Sequence, residues 1–150
     1  MTIQAPPEVV WNMVQDVARR LEWDVRTASA ELLTPSPIGK GTRMRVTYNM
    51  WGFPLEVEME LVAWSPPLRS GVKGKVRNSA DTVGASWNFI QNSDGSTTWT
   101  TRPVFTARGP LGWFREQLFG RTTAYLTAVS QRKVKRLIEA EYRYQPEPLV

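Results

Sequence analysis

The sequence contains no cysteine and no histidine. The first absence excludes disulfides, thiolate nucleophiles and cysteine-based zinc sites. The second removes the side chain that most often serves as general base near neutral pH and as metal ligand. Any chemistry must rest on Tyr, Arg, Lys, carboxylates or hydroxyls, and neither a metal nor a resident cofactor is expected. Long hydrophobic runs are missing too. No apolar stretch reaches the length of a membrane span, and no charged n-region, apolar h-region and cleavage site open the chain. A soluble, cytoplasmic protein is the expectation.

What is present fits a globular domain. The chain has 150 residues, 41% of them hydrophobic, which is too apolar for disorder. That length suits one domain able to bury about two thirds of the surface its unfolded chain exposes. The expected division is a single ligand-binding domain over residues 1–144 and a loose tail over 145–150, where two prolines fall.

Residues 5–23 read as one helix. Pro7 suits its first turn and Glu8 the positive end of its dipole, and Val10, Met13, Val14, Val17 and Leu21 make one apolar face. A short strand is expected over 31–34. Strands then dominate. Along 42–50 the apolar residues hold even positions, and along 55–63 odd positions, with Glu56, Glu58 and Glu60 between them. Folding these about a Gly52–Phe53 turn sets Met50 opposite Leu55, Tyr48 opposite Val57, Val46 opposite Met59 and Met44 opposite Leu61, with Arg45 meeting Glu60 on the other face. Further strands are expected over 71–78, 83–91 and 97–107, the last carrying Pro103 and therefore lying near an edge or a bulge. A helical end opens at Pro110, Gly120 bends or breaks it, and a long helix covers 122–142. Its inward stripe is Leu126, Ser130, Val134, Leu137 and Ile138, with Thr123 and Thr127 beside it.

The formal charge of +5 raises the question of an anionic partner. Lys73, Lys75 and Arg77 alternate outward on the strand expected beside Glu56, Glu58 and Glu60, so these cations read as one side of a carboxylate ladder. Nucleic acid is not the expected partner. The basic stretch QRKVKR at 131–136 allows membrane contact, but its place towards a helix C-terminus accounts for it more simply.

The order of helix, antiparallel strands and long final helix resembles the helix-grip fold of the START-like (SRPBCC) superfamily, which includes polyketide cyclases, lipid-transfer domains and the plant abscisic acid and birch-pollen-allergen proteins. The residues that carry the resemblance are APPEVVW at 5–11, Asp16, LEWD at 21–24, GKGT at 39–42, WSPPLR at 64–69, DGSTTW at 94–99 and VKRLIE at 134–139. It implies an α+β fold, a curved antiparallel sheet wrapped around the C-terminal helix with an N-terminal helical segment, enclosing an apolar cavity. Family members usually begin with a full strand before the APP segment; here Met1–Gln4 alone can supply it. The plant hormone receptors also carry a gate loop of Gly, an apolar residue and Pro, and Gly52, Phe53 and Pro54 match it, with 79–82 as the loop across the mouth. Trp51, Gly52, Phe53 and Pro54 are thus a lid over the entrance, an apolar contact for a membrane or partner, or rings folded back onto the core.

The candidate ligand-binding residues are Trp23, Met44, Val46, Tyr48, Met50, Leu55, Val57, Met59, Val76, Trp87, Phe89, Trp99, Thr101 and Phe105, joined from the final helix by Thr123, Leu126, Thr127 and Ser130. Each is also an ordinary core position. No carboxylate falls on the inward strand faces, so a general-base mechanism lacks a base and no catalytic residue is assigned. Binding of a hydrophobic small molecule (a lipid, isoprenoid or aromatic polyketide), as carrier or sensor, is the expected function. A polyketide aromatase/cyclase is the alternative, with Tyr48 as polar group and Arg102 as cation if the last strand slips by one residue. A quinone- or membrane-associated module is the third reading. The oligomeric state is not legible in the sequence.

Overall fold

The structure is a computed structural model, and it describes residues 1–50 and 52–144. Trp51 and the expected tail at 145–150 lie outside the described residues.

The described residues form a seven-stranded antiparallel sheet and three helices: β1 (Thr2–Ile3), α1 (Pro7–Gln15), α2 (Arg20–Trp23), β2 (Thr27–Leu32), β3 (Arg43–Met50), β4 (Phe53–Ser65), β5 (Arg69–Val76), β6 (Thr82–Gln91), β7 (Thr97–Thr106) and α3 (Gly112–Arg143). The strand order is β1-β7-β6-β5-β4-β3-β2, so every neighbour but β1 is also a neighbour in sequence. The sheet curves around α3, which packs on α1, α2, β1 and β7.

The N-terminal segment is two helices, not one. The Asp16 carboxylate accepts the Ala18 N–H at 2.9 Å, a local turn that competes with the helix and ends α1. The break rotates α2 relative to α1. Val10, Met13, Val14 and Val17 are buried as the periodicity requires, but Leu21 is 50% exposed, and Arg20 and Trp23 point inward instead. Trp11 joins the core, edge-on to Trp64 at 4.8 Å and to Phe89 at 5.3 Å. Met44, Val46, Val57, Met59, Leu61, Val72, Val76, Trp99, Val134 and Ile138 complete it.

The β3–β4 hairpin has the expected faces in a different register. Met50 pairs with Phe53, Tyr48 with Leu55, Val46 with Val57, Met44 with Met59 and Arg45 with Glu58. The shift from the expected pairing is two residues, so each side chain keeps its face. The cause is Gly52, whose φ of +87° places it within the connection and leaves Phe53 to begin β4. The carboxylate ladder forms outside: Arg45 reaches Glu31 and Glu58, each at 2.8 Å, and Arg77 reaches Glu56 at 2.8 Å. Lys75 and Lys73 lie opposite Glu58 and Glu60.

Several boundaries differ from expectation, among them β5, which spans Arg69–Val76 against the expected 71–78. β2 begins at Thr27, four residues before the expected 31, and carries an irregularity between Thr27 and Ser29. α3 starts at Gly112 rather than at Pro110 and runs through Gly120 unbroken. β1 has two residues and covers only Thr97 and Thr98 of β7. Among the described residues, Pro103 therefore sits where β7 has no strand on its outer side, and its missing N–H costs no ladder bond there.

Candidate functional site

Between the concave face of the sheet and the helices α2 and α3 lies a cavity of about 60 Å³. Met50, Leu55, Met59, Val72, Val83, Ala85 and Phe119 supply apolar walls, and Arg20, Arg26, Tyr48, Thr101 and Thr123 supply polar ones. Trp87 stands where this cavity meets two small crevices, one towards Met44 and Gln15 and one towards Trp23, Trp99 and Ser130. No carboxylate is among the cavity's described lining residues.

The charged end is built at the corner between α2 and β2. Asp24 is 1% exposed. Its carboxylate accepts Arg26 Nε at 2.8 Å and Nη2 at 2.9 Å, the Arg26 backbone N–H, and the Ser130 hydroxyl at 3.3 Å. Burial opposes its ionisation, but the hydrogen bonds and charge of Arg26, with the charge of Arg20 added, outweigh that and hold its pKa below the ordinary carboxylate value. Arg26 also donates to Thr127 Oγ1 at 3.0 Å, and Ser130 Oγ accepts the Val25 N–H at 3.1 Å. The two hydroxyls expected to serve a ligand thus tether the α2–β2 corner to α3.

Arg20 is placed differently. It is 6% exposed, with its guanidinium 5.4 Å from the Trp23 ring and 5.8 Å from the Trp87 ring. Arg26 lies 5.7 Å from the Tyr48 ring. Burial raises the pKa of the Tyr48 phenol, which stays a protonated donor at neutral pH.

The expected site residues fall in several places. Tyr48, Met50, Leu55, Met59, Trp87, Thr101 and Thr123 line the cavity, and Trp23 and Trp99 line the crevice continuous with it. Val46, Val57, Val76 and Phe89 are buried core, Phe89 stacked on Trp99 at 6.3 Å. Met44 lines the opposite crevice, and Leu126 is half-buried on α3. The register of β7 does not slip: Arg102 pairs with Ser86 and faces outward, exposed, so it is not the cation of the cavity. That role falls to Arg20 and Arg26, which the strand pattern did not reveal because they lie on α2 and in the turn after it.

The mouth is apolar. A groove of about 510 Å³ is lined by Met50, Phe53, Phe105, Leu118, Phe119 and Thr122, with Asp81 and Arg115 at its edge. Met50 and Phe119 belong to both groove and cavity, and Phe105 stacks on Phe119 at 4.1 Å. Phe53 is 76% exposed on the rim, so it is not folded onto the core. Gly52 and Pro54 are exposed beside it. Across the groove Asp81, in the β5–β6 turn, accepts the Arg108 N–H at 2.9 Å and pairs with Arg115 of α3.

The family model described as polyketide cyclase / dehydrase and lipid transport matches residues 1–140. No curated protein matches the chain. Solved structures share the fold. An aromatase/cyclase from Streptomyces sp. R1128 superimposes with a TM-score of 0.78 at 16% identity, over 96% of this chain and 93% of that one. A protein from Thermus thermophilus gives 0.75 at 17% identity, over 94% of each chain. A START superfamily protein from Mycobacterium smegmatis gives 0.70 at 14% identity, over 91% of this chain and 94% of that one. With a match over residues 1–140, this chain belongs to the polyketide cyclase / dehydrase and lipid transport family, and it shares the helix-grip fold of those solved structures.

Proposed function

We propose that the protein is a carrier or sensor that binds a lipid, an isoprenoid or an aromatic polyketide-like molecule in its internal cavity. The observation that carries this reading is that Met50 and Phe119 line both the inner cavity and the apolar groove. The inner space is too small for a whole ligand, since binding sites for such molecules measure about 300–1,000 Å³. The adjacent groove of about 510 Å³ supplies the apolar surface that the body of such a ligand needs. Trp87 borders the cavity and reports occupancy. Titration of the protein with lipid, isoprenoid and aromatic polyketide probes should give saturable changes in tryptophan fluorescence, and Ala85→Leu, which fills the inner space, should weaken them. Absence of saturable binding across all three classes overturns the reading.

A cyclase is the second reading, supported by the Tyr48 phenol beside Arg26 on the cavity wall. Such an enzyme would orient an already reactive chain rather than supply a base. Ester, phosphate and glycoside hydrolysis have no group here to drive them, and panels of those substrates should give no turnover. Turnover abolished by replacing one acidic residue would overturn the carrier reading.

A further inference from the structure

The polar groups of the cavity are unbalanced. Arg20 is 6% exposed, and among the described residues its guanidinium donates no hydrogen bond and has no ion-pair partner, its nitrogens keeping only slight access to solvent. A guanidinium cannot escape by losing its proton, and its donors normally find acceptors when withdrawn from water. The rings of Trp23 and Trp87 offset part of that cost through their π faces, but they accept no strong hydrogen bond. Other groups nearby are unmet as well. The Thr123 hydroxyl, on a residue 4% exposed, has no partner among the described residues and lines the same cavity. The indole N–H groups of Trp23 and Trp99 are likewise unpartnered in the crevice that continues from Arg20. Apart from the hydroxyl, which can donate or accept, these are donors only.

The charges point the same way. Asp24 and Arg26 neutralise each other through two side-chain hydrogen bonds. Arg20 is then left as one uncompensated positive charge at the inner end of a cavity whose mouth is apolar. The geometry points to Arg20 as the receptor for an anionic head: the ligand is an apolar molecule carrying one carboxylate or similar oxyanion. Its head pairs with Arg20 between the two indoles, within reach of Thr123, and its body extends past Met50 and Phe119 into the groove. A water needs about 10–15 Å³ of accessible space, so the cavity of about 60 Å³ admits a small polar head but not a long tail. This assignment rests on the cavity being a ligand site, as proposed above.

The test uses pairs of probes that differ only in the head: dodecanoate against dodecanol, and 2-naphthoate against 2-naphthamide. In each pair the carboxylate should bind about tenfold or more tightly, because a charge-assisted pair replaces a neutral contact. Arg20→Met should abolish that preference, so that both members of each pair bind alike, while Arg20→Lys should retain part of it. Arg20→Met should also raise the thermal midpoint of the ligand-free protein, because it removes an unpaired buried charge. Equal binding of both heads overturns the anion assignment and leaves the cavity reading standing. Failure of every probe to bind overturns both. A preference that survives Arg20→Met, or a lowered thermal midpoint in that variant, shows Arg20 to be structural.

Discussion

Asp24 and Arg26 show how one buried pair organises a corner of the protein. Each would be costly alone. Together, with Ser130 and Thr127, they satisfy one another and fasten the α2–β2 turn to α3. Replacing Asp24 by Asn keeps the shape but leaves Arg26 with a buried, uncompensated charge, which should cost about 3–5 kcal/mol by chemical denaturation at neutral pH. The pH dependence has a definite sign. Because the folded-state pKa of Asp24 is depressed, its contribution is complete above the unfolded value of about 3.9 and is lost as pH falls through the folded value. The stability gap between the parent and Asp24→Asn should therefore be constant at mild pH and close in strong acid. Tyr48 makes a smaller residue-scale contribution. If its phenol contacts the ligand, Tyr48→Phe should weaken binding by about 0.5–1.5 kcal/mol in a direct titration. Unchanged affinity for a ligand that occupies the cavity removes Tyr48 from the site.

At the scale of elements, α3 runs 32 residues without a break despite Gly120. Gly120 is exposed, and a β-carbon added there meets no atom within 4 Å. Gly120→Ala should thus stabilise the protein by about 0.5–1 kcal/mol in a denaturant titration, through helix propensity alone. The error in reading Gly120 as a breaker is instructive: a single glycine weakens a helix, but the tertiary contacts of α3 on either side carry it through. The strand faces were legible because alternation has a period of two, and a buried face fixes its parity. Register was not, because a shift of two residues leaves every face unchanged; only the positive φ of Gly52 distinguishes the pairings. The charged end of the cavity was hidden for another reason. A continuous helix over 5–23 turns Leu21 inward and Arg20 outward, and the break made by Asp16 reverses them. Asp24 and Arg26 belong to neither periodic pattern. Their burial follows from tertiary pairing with each other and with α3, which hydrophobic spacing does not encode.

For the molecule as a whole, the distribution of order decides how a ligand enters. The end of the cavity near Trp11, Phe89 and Trp99 is closed by packed rings and by β1, where the Met1 amine donates to the Trp99 carbonyl at 2.9 Å. The other end is held by less. Phe53 stands free on the β3–β4 rim, and the start of α3 is fastened to the β5–β6 turn through Asp81 and Arg115. Elements with few buried contacts open at the lowest free energy, so the proposed ligand is expected to enter on this side. Hydrogen exchange should show rapid exchange over 52–55 and 107–120 in the free protein, and slow exchange along β6 and the first half of β7. A bound ligand should protect the first two segments and leave the others as they were. Asp81→Asn, which removes the charge of the latch, should speed exchange over 107–120 without changing global stability by more than about 1 kcal/mol, since Arg115 is partly exposed and such pairs contribute little. Phe53→Ala should likewise leave the free protein's stability within about 0.5 kcal/mol, as for an exposed position. If Phe53 acts as a lid, the same variant should weaken ligand binding, because the ring would gain its apolar contact only with a guest in place. Protection appearing instead at the packed end, around Phe89 and Trp99, would place the entrance there and refute this account of the mouth.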